Sequence, residues 1–517
     1  MDRIVVLDFG SQTAQLIARR IREAGVYSVV LPGDSRAAHV LDPDTRGIVL
    51  SGSPSSIYTD GAPRIDSTLI AAGLPMLGIC YGFHQLVTLL GGSVARGTSS
   101  EFGRARVHIG SGTATPLLKG VPDGFVSWMS HGDSVAALPE HFEVEARSDD
   151  FIAAAWSPEK RIYGLQFHPE VSHCEYGSEI LSNFAVGICG ASKDWNVERY
   201  LDDATANLLA DVGDREVLLL ISGGVDSSVV AGLLLATLPP ERVHLMYVDT
   251  GLMRKDETPL VEKQLNTLGA RNLHIVDASA RFLGDLEGVS DPEEKRKIIG
   301  DAFIAVQQEK IDERKIATTM LAQGTLYTDL IESGKGVGDK AEVIKSHHNV
   351  RSPLVEAKRA SGDLIEPLKH LYKDEVRALG RRLGVDERVI GRHPFPGPGL
   401  AVRIVGQVSK ERCDTLREAD AIFLAELEQR DLYDKIWQAF CVLLPVQSVG
   451  VTGDARNYGD VVALRAVTSR DGMTADVYPF EMSDLLEISA RITNGVVGVG
   501  RVVYDVSSKP PATIEWE

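Results

Sequence analysis

Short apolar runs rich in β-branched residues, most closing on a glycine or turn and leading into a segment of helical length, recur through the first three-quarters of this chain. IVVLDFG (residues 4–10) leads into an amphipathic stretch over 13–25, and GIVLSG (47–52) and MLGIC (76–80) repeat the pattern. Strands apolar on both faces, separated by helices, predict a parallel sheet covered by helices. A second series follows a polar helix expected near 196–213: VLLLISGG (217–224), VHLMYVDTG (243–251), LHIVD (273–277) and KIATTMLAQGT (315–325). From HPFPGPG (393–399) onward the alternation stops, and a helix around 419–430 precedes β-patterned stretches. The reading is α/β: two doubly wound parallel-sheet domains, 1–192 and 193–391, and a C-terminal α+β unit, 392–517.

A chain of 517 residues is too long for one hydrophobic core. Its 54 basic residues against 72 acidic ones give a net charge of −18, which argues against a nucleic-acid or membrane-surface binder. No apolar run approaches the ~20 residues that span a bilayer. The N-terminus enters a strand without the pattern of a signal peptide. Five cysteines, odd in number and without CxxC spacing, fit a reducing compartment, so a cytoplasmic location is expected.

Gly78-Ile79-Cys80-Tyr81-Gly82 falls where a strand gives way to a helix running to about Leu90. Two glycines permit a sharp turn that projects the cysteine above the sheet, and the helix N-terminus favours both a thiolate and an oxyanion. On its own the pentapeptide fits a buried structural cysteine equally well. Gln166-Phe167-His168-Pro169-Glu170 shifts the balance. His168 and Glu170, two apart on an extended segment, point the same way and supply a base with its orienting carboxylate.

With these motifs, residues 1 to about 190 resemble a class I glutamine amidotransferase. The resemblance implies Cys80 as nucleophile, His168 as base and Glu170 as orienter, with an oxyanion hole at Gly52 and the Tyr81 amide. It also implies that glutamine is held by Gln85 and by Ser130, His131, Gly132 and Asp133. Ser53 stands where the family usually has glycine, and Phe83-His84 precedes Gln85 where an apolar residue is commoner.

Ser222-Gly223-Gly224-Val225-Asp226-Ser227-Ser228 follows the apolar run VLLLI and opens a helix. Small residues let amide groups wrap an anion, and the absent lysine disfavours a Walker-type loop. Asp226 inside an anion loop would repel phosphate unless a divalent cation bridges the two. The heptapeptide is similar to the loop of N-type ATP pyrophosphatases. This implies ATP as substrate, pyrophosphate at 222–228 with Mg²⁺ near Asp226, and adenosine beside Val248, Asp249 and Gly251, at the end of the next strand.

The HPFPGPG stretch with Leu400-Ala401-Val402-Arg403, the segment 344–349 and the terminal Lys509 to Glu517 resemble the GMP synthetase family. The implied acceptor is xanthosine monophosphate (XMP), with Arg403, Arg501, Lys509 and Glu515 around it. The stretch 327–349 resembles a lid carrying Asp329, Glu332 and Lys345. Thr250, Thr328 and Arg351-Ser352-Pro353-Leu354 depart from the family's usual residues. The implied substrates are ATP, XMP and glutamine, and the C-terminal domain is implied to pair two subunits into a homodimer.

Overall fold

The runs that are apolar in sequence are the strands at the centre of each sheet. The computed structural model describes the whole chain except residues 12, 111–114, 317–319, 328–352, 453–454 and 470–473. The expected lid residues Asp329, Glu332 and Lys345 therefore lie outside the described residues, as do Thr328, Arg351, Ser352 and the 344–349 motif. The described residues form two compact units, 1–202 and, from 203 onward, the remainder.

In the first unit β1 (Arg3–Asp8), β2 (Tyr27–Pro32), β3 (Thr45–Leu50), β4 (Met76–Ile79) and β9 (Ile162–Leu165) run parallel in the order β2-β1-β3-β4-β9. Register places Ile4 opposite Ser28 on one side and Gly47 on the other. Beyond β9 the sheet continues antiparallel through β8 (Phe151–Ser157), β7 (Glu143–Ser148), β5 (Ser93–Ile109) and β6 (Phe125–Ala137). The sheet is thus mixed, parallel only on its βα side. The antiparallel half escapes a periodicity reading because β5 and β6 are long, polar and half-exposed. Val5, Leu7, Ile48, Leu50, Met76, Phe83 and Leu86 form the core beneath the helix Tyr81–Leu89.

The second unit holds a parallel sheet in the order β12-β11-β10-β13-β14, namely Asn272–Asp277, Val243–Asp249, Val217–Ile221, Met320–Ala322 and Leu364–Ile365. β11 lies on one side of β10 and β13 on the other, so the strand order reverses at β10. The crevice at the carboxyl end of such a strand is where α/β sheets collect ligands. A second sheet centres on β16 (Ala455–Thr468), antiparallel to β15 (Gln438–Thr452) and β17 (Asp476–Val477) and parallel to β18 (Val499–Tyr504). The helix Lys410–Gln429, capped by Ser409, begins nine residues before the expected start at 419. One apolar cluster runs from Leu218 and Met246 through Leu400 and Ile404 to Phe423, Cys441 and Val462. Packing is therefore continuous across the boundary expected at 391/392.

Three buried cations tie down the C-terminal segment. Lys295, fully buried, donates to Ile404 O at 2.8 Å and Ala401 O at 3.2 Å and pairs with Glu517. Arg465 pairs with Asp505 and donates to the carbonyls of Ser507, Thr513 and Ile514. Arg403 holds Glu515 through two bonds, at 2.8 and 3.0 Å. Removing one member of such a buried pair leaves an uncompensated charge, at a cost of about 3–5 kcal/mol.

Glu145 on β7 is fully buried, and neither carboxylate oxygen has a hydrogen-bond partner. Burial pushes its pKa up to about 8 from 4.5, and the nearby Leu118 amide offsets only part of this. The folded state thus favours the neutral acid. Its contribution is full below pH 4.5 and is lost as pH rises towards 8, a cost of about 3 kcal/mol at pH 7. Glu145→Gln is expected to melt several degrees above the parent at pH 7.5, with the difference vanishing near pH 4.5, as read by thermal scans across that range.

Candidate active site

A strand ending at Ile79 and a helix beginning at Tyr81 leave one residue for the turn, and Cys80 takes it at φ 51° and ψ −104°. A side chain in that left-handed region is strained and persists only where its surroundings hold it there. Both flanking glycines do so by close approach. A Cβ at Gly78 would lie 2.6 Å from the Gly82 carbonyl carbon, and one at Gly82 would collide with the Leu50 carbonyl oxygen. Cys80 N donates to Leu165 O at 2.7 Å, which pins the turn to the loop that carries the histidine.

His168 Nδ1 lies 2.7 Å from Glu170 Oε1, and the same oxygen accepts from Thr13 Oγ1 at 2.6 Å. Glu170 is completely buried and His168 nearly so. Burial opposes the imidazolium, but the Glu170 charge and hydrogen bonding to Cys80 and Glu170 outweigh it, raising His168 well above the usual histidine range. A carboxylate, an imidazolium and a sulfur are thus aligned. Gly52 packs against the ring, since a Cβ there would sit 3.1 Å from His168 Cε1. Among the described residues neither the Gly52 nor the Tyr81 amide N–H has a hydrogen-bond partner. Two idle donors beside a nucleophile are what an oxyanion requires.

Ser130, His131, Gly132 and Asp133 lie on β6, with Ser130 O 3.7 Å from Cys80 Sγ. His131 is held by Glu101 at 3.2 Å, and Asp133 accepts from Ser56 Oγ. Gln85, expected to hold glutamine, instead turns its Oε1 onto the Ile65 amide at 2.9 Å. Five residues beyond Cys80 the helix has rotated about 140° away, whereas position 84 stays on the cysteine's side. His84 is buried, and its Nε2 lies 2.8 Å from Gln166 Oε1. The sequence reading missed His84 and Gln166. Their signals were the i+4 spacing from Cys80 and the two-residue offset from His168.

In the second unit, residues 222–224 form the turn after β10, and Val225 to Ser228 form the first turn of the helix Val225–Thr237. Ser227 Oγ bonds back to Ser222 Oγ at 3.1 Å and to Gly224 O at 3.1 Å, which closes the loop. Gly223 has φ 78°, and a Cβ there would meet Glu257 Oε1 at 2.9 Å. Lys373 Nζ grips both Asp226 oxygens at 2.7 Å. This cation, 147 residues away in sequence, was invisible to motif reading. Val248 and Asp249 end β11, and Gly251 lies in the turn just after it. Asp249 spends one oxygen on Gly251 N and the other on Thr258 Oγ1, so it shapes the turn.

Arg403 has no exposed surface, stacks on Phe440 at 4.0 Å and pairs with Glu515, while its Nη1 has no hydrogen-bond partner. The pair anchors the tail and leaves Arg403 one donor unspent. Arg501 is exposed, donating to Ser448 Oγ at 2.7 Å, and Lys509 is half-buried beside Ala475, so these two remain open to the role expected of them.

The strained cysteine elbow with its His–Glu pair defines a class I glutamine amidotransferase, here joined to a unit with an anion-binding loop. The class I glutamine amidotransferase family model matches residues 5–188, the asparagine synthase model 196–298 and the GMP synthase C-terminal domain model 425–516. The glutamine-hydrolysing GMP synthase of Pelodictyon phaeoclathratiforme is 49% identical, with 100% of both chains covered. That of Rhizobium johnstonii is 50% identical, over 100% of this chain and 99% of its own. A solved structure from Thermoplasma acidophilum, described as that of a GMP synthase component of uncertain assignment, shares 33% identity at a TM-score of 0.32, covering 37% of this chain and 94% of its own. The chain belongs to the family of glutamine-hydrolysing GMP synthases, and it is an enzyme of the ligase type.

Gly82→Ala should force the helix off β3. We expect a loss of about 1–3 kcal/mol in the first unit and at least a tenfold fall in glutamine-dependent turnover, measured by thermal melting and glutamate release.

Proposed function

We propose that the chain aminates XMP to GMP, using ATP and glutamine, with glutamine hydrolysis at Cys80 and adenylylation at the 222–228 loop. The observation that carries the glutaminase half is the His168–Glu170 pair beside Cys80, with the unpartnered amides of Gly52 and Tyr81; the amination half rests on the full-length similarity to glutamine-hydrolysing GMP synthases.

The Cys80 thiolate attacks the glutamine side-chain carbonyl, and its oxygen takes the negative charge between the Gly52 and Tyr81 amides. The His168 imidazolium gives its proton to the departing nitrogen, which leaves as ammonia with a thioester on Cys80. His168, now neutral, takes a proton from water, which attacks the thioester and releases glutamate. Glu170 keeps the imidazole in one orientation throughout. At the second site the 222–228 amides hold the ATP phosphates while an oxygen of XMP displaces pyrophosphate. Ammonia then displaces AMP.

Oxygen donors at Asp226 fit Mg²⁺. Among the described residues no group of three acidic, histidine or cysteine side chains could hold a metal unaided, which suits an ion shared with nucleotide phosphates. Mg²⁺ bound there would neutralise polyphosphate charge. Lys373, now on Asp226, is placed to shift onto phosphate when the ion arrives. Arg501 and Lys509 are the cations we assign to the XMP phosphate.

We further propose a homodimer through the C-terminal sheet. Val449 and Val451 on β15 and Tyr458 on β16 are 49%, 76% and 62% exposed, an apolar face suited to a second copy. No helix among the described residues is long and apolar enough to cross a membrane. The five free cysteines support a cytoplasmic location.

Cys80→Ala is expected to abolish GMP formation from glutamine while retaining it with ammonium salts; loss of both would overturn the division of labour. Val449→Asp with Val451→Asp is expected to halve the mass seen by light scattering, and an unchanged mass would exclude this face.

A further inference from the structure

His84 and Gln166 take no part in the steps above, yet Gln166 reaches the reacting sulfur and His84 holds Gln166. Gln166 is fully buried two residues before His168 on the extended segment after β9, so its side chain shares the histidine's side. Its Nε2 donates to Cys80 Sγ at 3.7 Å, and its Oε1 lies 2.8 Å from His84 Nε2. The sulfur's other polar neighbour, Ser130 O at 3.7 Å, is a carbonyl that can accept from a thiol but cannot stabilise a thiolate. Among the described residues, the side-chain donor supplied to the sulfur apart from His168 is therefore one amide group.

An amide has two ends, and only its N–H end favours negative sulfur. What fixes the orientation is His84. An Nε2–H of His84 facing Gln166 Oε1 leaves the Gln166 N–H pointed at Cys80. Burial favours the neutral imidazole, which keeps a second cation out of the pocket. The helix supplies the geometry, because Cys80 and His84 are one turn apart. The other titratable groups around the cysteine are His168 and Glu170 on the segment after β9, and His131 and Asp133 on β6.

We infer that His84 and Gln166 form a positioning pair that holds an amide N–H on Cys80 Sγ and so favours the thiolate for attack on glutamine. This rests on the reading of Cys80 as nucleophile.

The test uses the full-length enzyme and its Gln166→Leu, Gln166→Glu, His84→Leu, His84→Gln and Cys80→Ala variants. Site-resolved iodoacetamide alkylation of Cys80 is followed against pH, together with glutaminase kcat and KM. Gln166→Leu should move the alkylation midpoint up by about one pH unit and lower kcat about tenfold, with KM changed less than about twofold. His84→Leu should move it part of the way. His84→Gln, whose amide can again donate to Gln166 Oε1, should restore it. Should Gln166→Leu not fold, as read by circular dichroism, the isosteric Gln166→Glu carries the test, since a carboxylate against the sulfur raises the midpoint further. An alkylation midpoint unmoved in both Gln166 variants overturns the inference. A His84→Gln variant no better than His84→Leu removes His84 from it. If Cys80→Ala still releases glutamate from glutamine, the underlying reading of the nucleophile fails instead.

Discussion

Close backbone approach at a strand-to-helix turn is the constraint on which both candidate sites depend. At Cys80 the helix Tyr81–Leu89 presses so near β3 and β4 that only glycine fits at 78 and 82. That contact holds the cysteine at a φ of 51°, outside the range it would choose alone. At Ser222 the same device operates with different chemistry. Gly223 adopts φ 78° against Glu257, and the hydroxyls of Ser222 and Ser227 close the loop. In each case a helix begins at the turn, and its N-terminus favours negative charge there.

Charge in the interior is used unevenly. Around Cys80 it is arranged for reaction, with a buried carboxylate holding an imidazolium beside the sulfur. In the second unit Lys295, Arg403 and Arg465 are equally buried and each pairs with a carboxylate of the segment from Asp505 to Glu517, with Arg403 Nη1 left unpartnered. An acidic tail residue and an interior cation neutralise one another where neither could be left alone. These pairs anchor the terminal motif to a unit in which a single apolar cluster spans both sheets.

Much of this was legible along the chain. The parallel strands, the elbow at 78–82, the loop at 222–228 and the His168–Glu170 pair were all readable because each depends on neighbours within a few residues. The antiparallel half of the first sheet was not, since β5 and β6 alternate too little and carry too many polar residues to stand out. Gln85 misled because a motif can be counted along a line while a helix must be counted around its axis. The bond from Gln85 to Ile65 and the bond from His84 to Gln166 lie on different faces.

Local chemistry was therefore set by the order of residues: which turns are tight, which helices open on a small-residue loop, which side chains can serve as nucleophile and base. Long-range pairing was decided only by folding. The grip of Lys373 on Asp226 spans 147 residues, and that of Arg403 on Glu515 spans 112. Separation of that kind leaves no periodic trace, because the energy of a buried charge depends on what surrounds it in space and not on what precedes it in the chain.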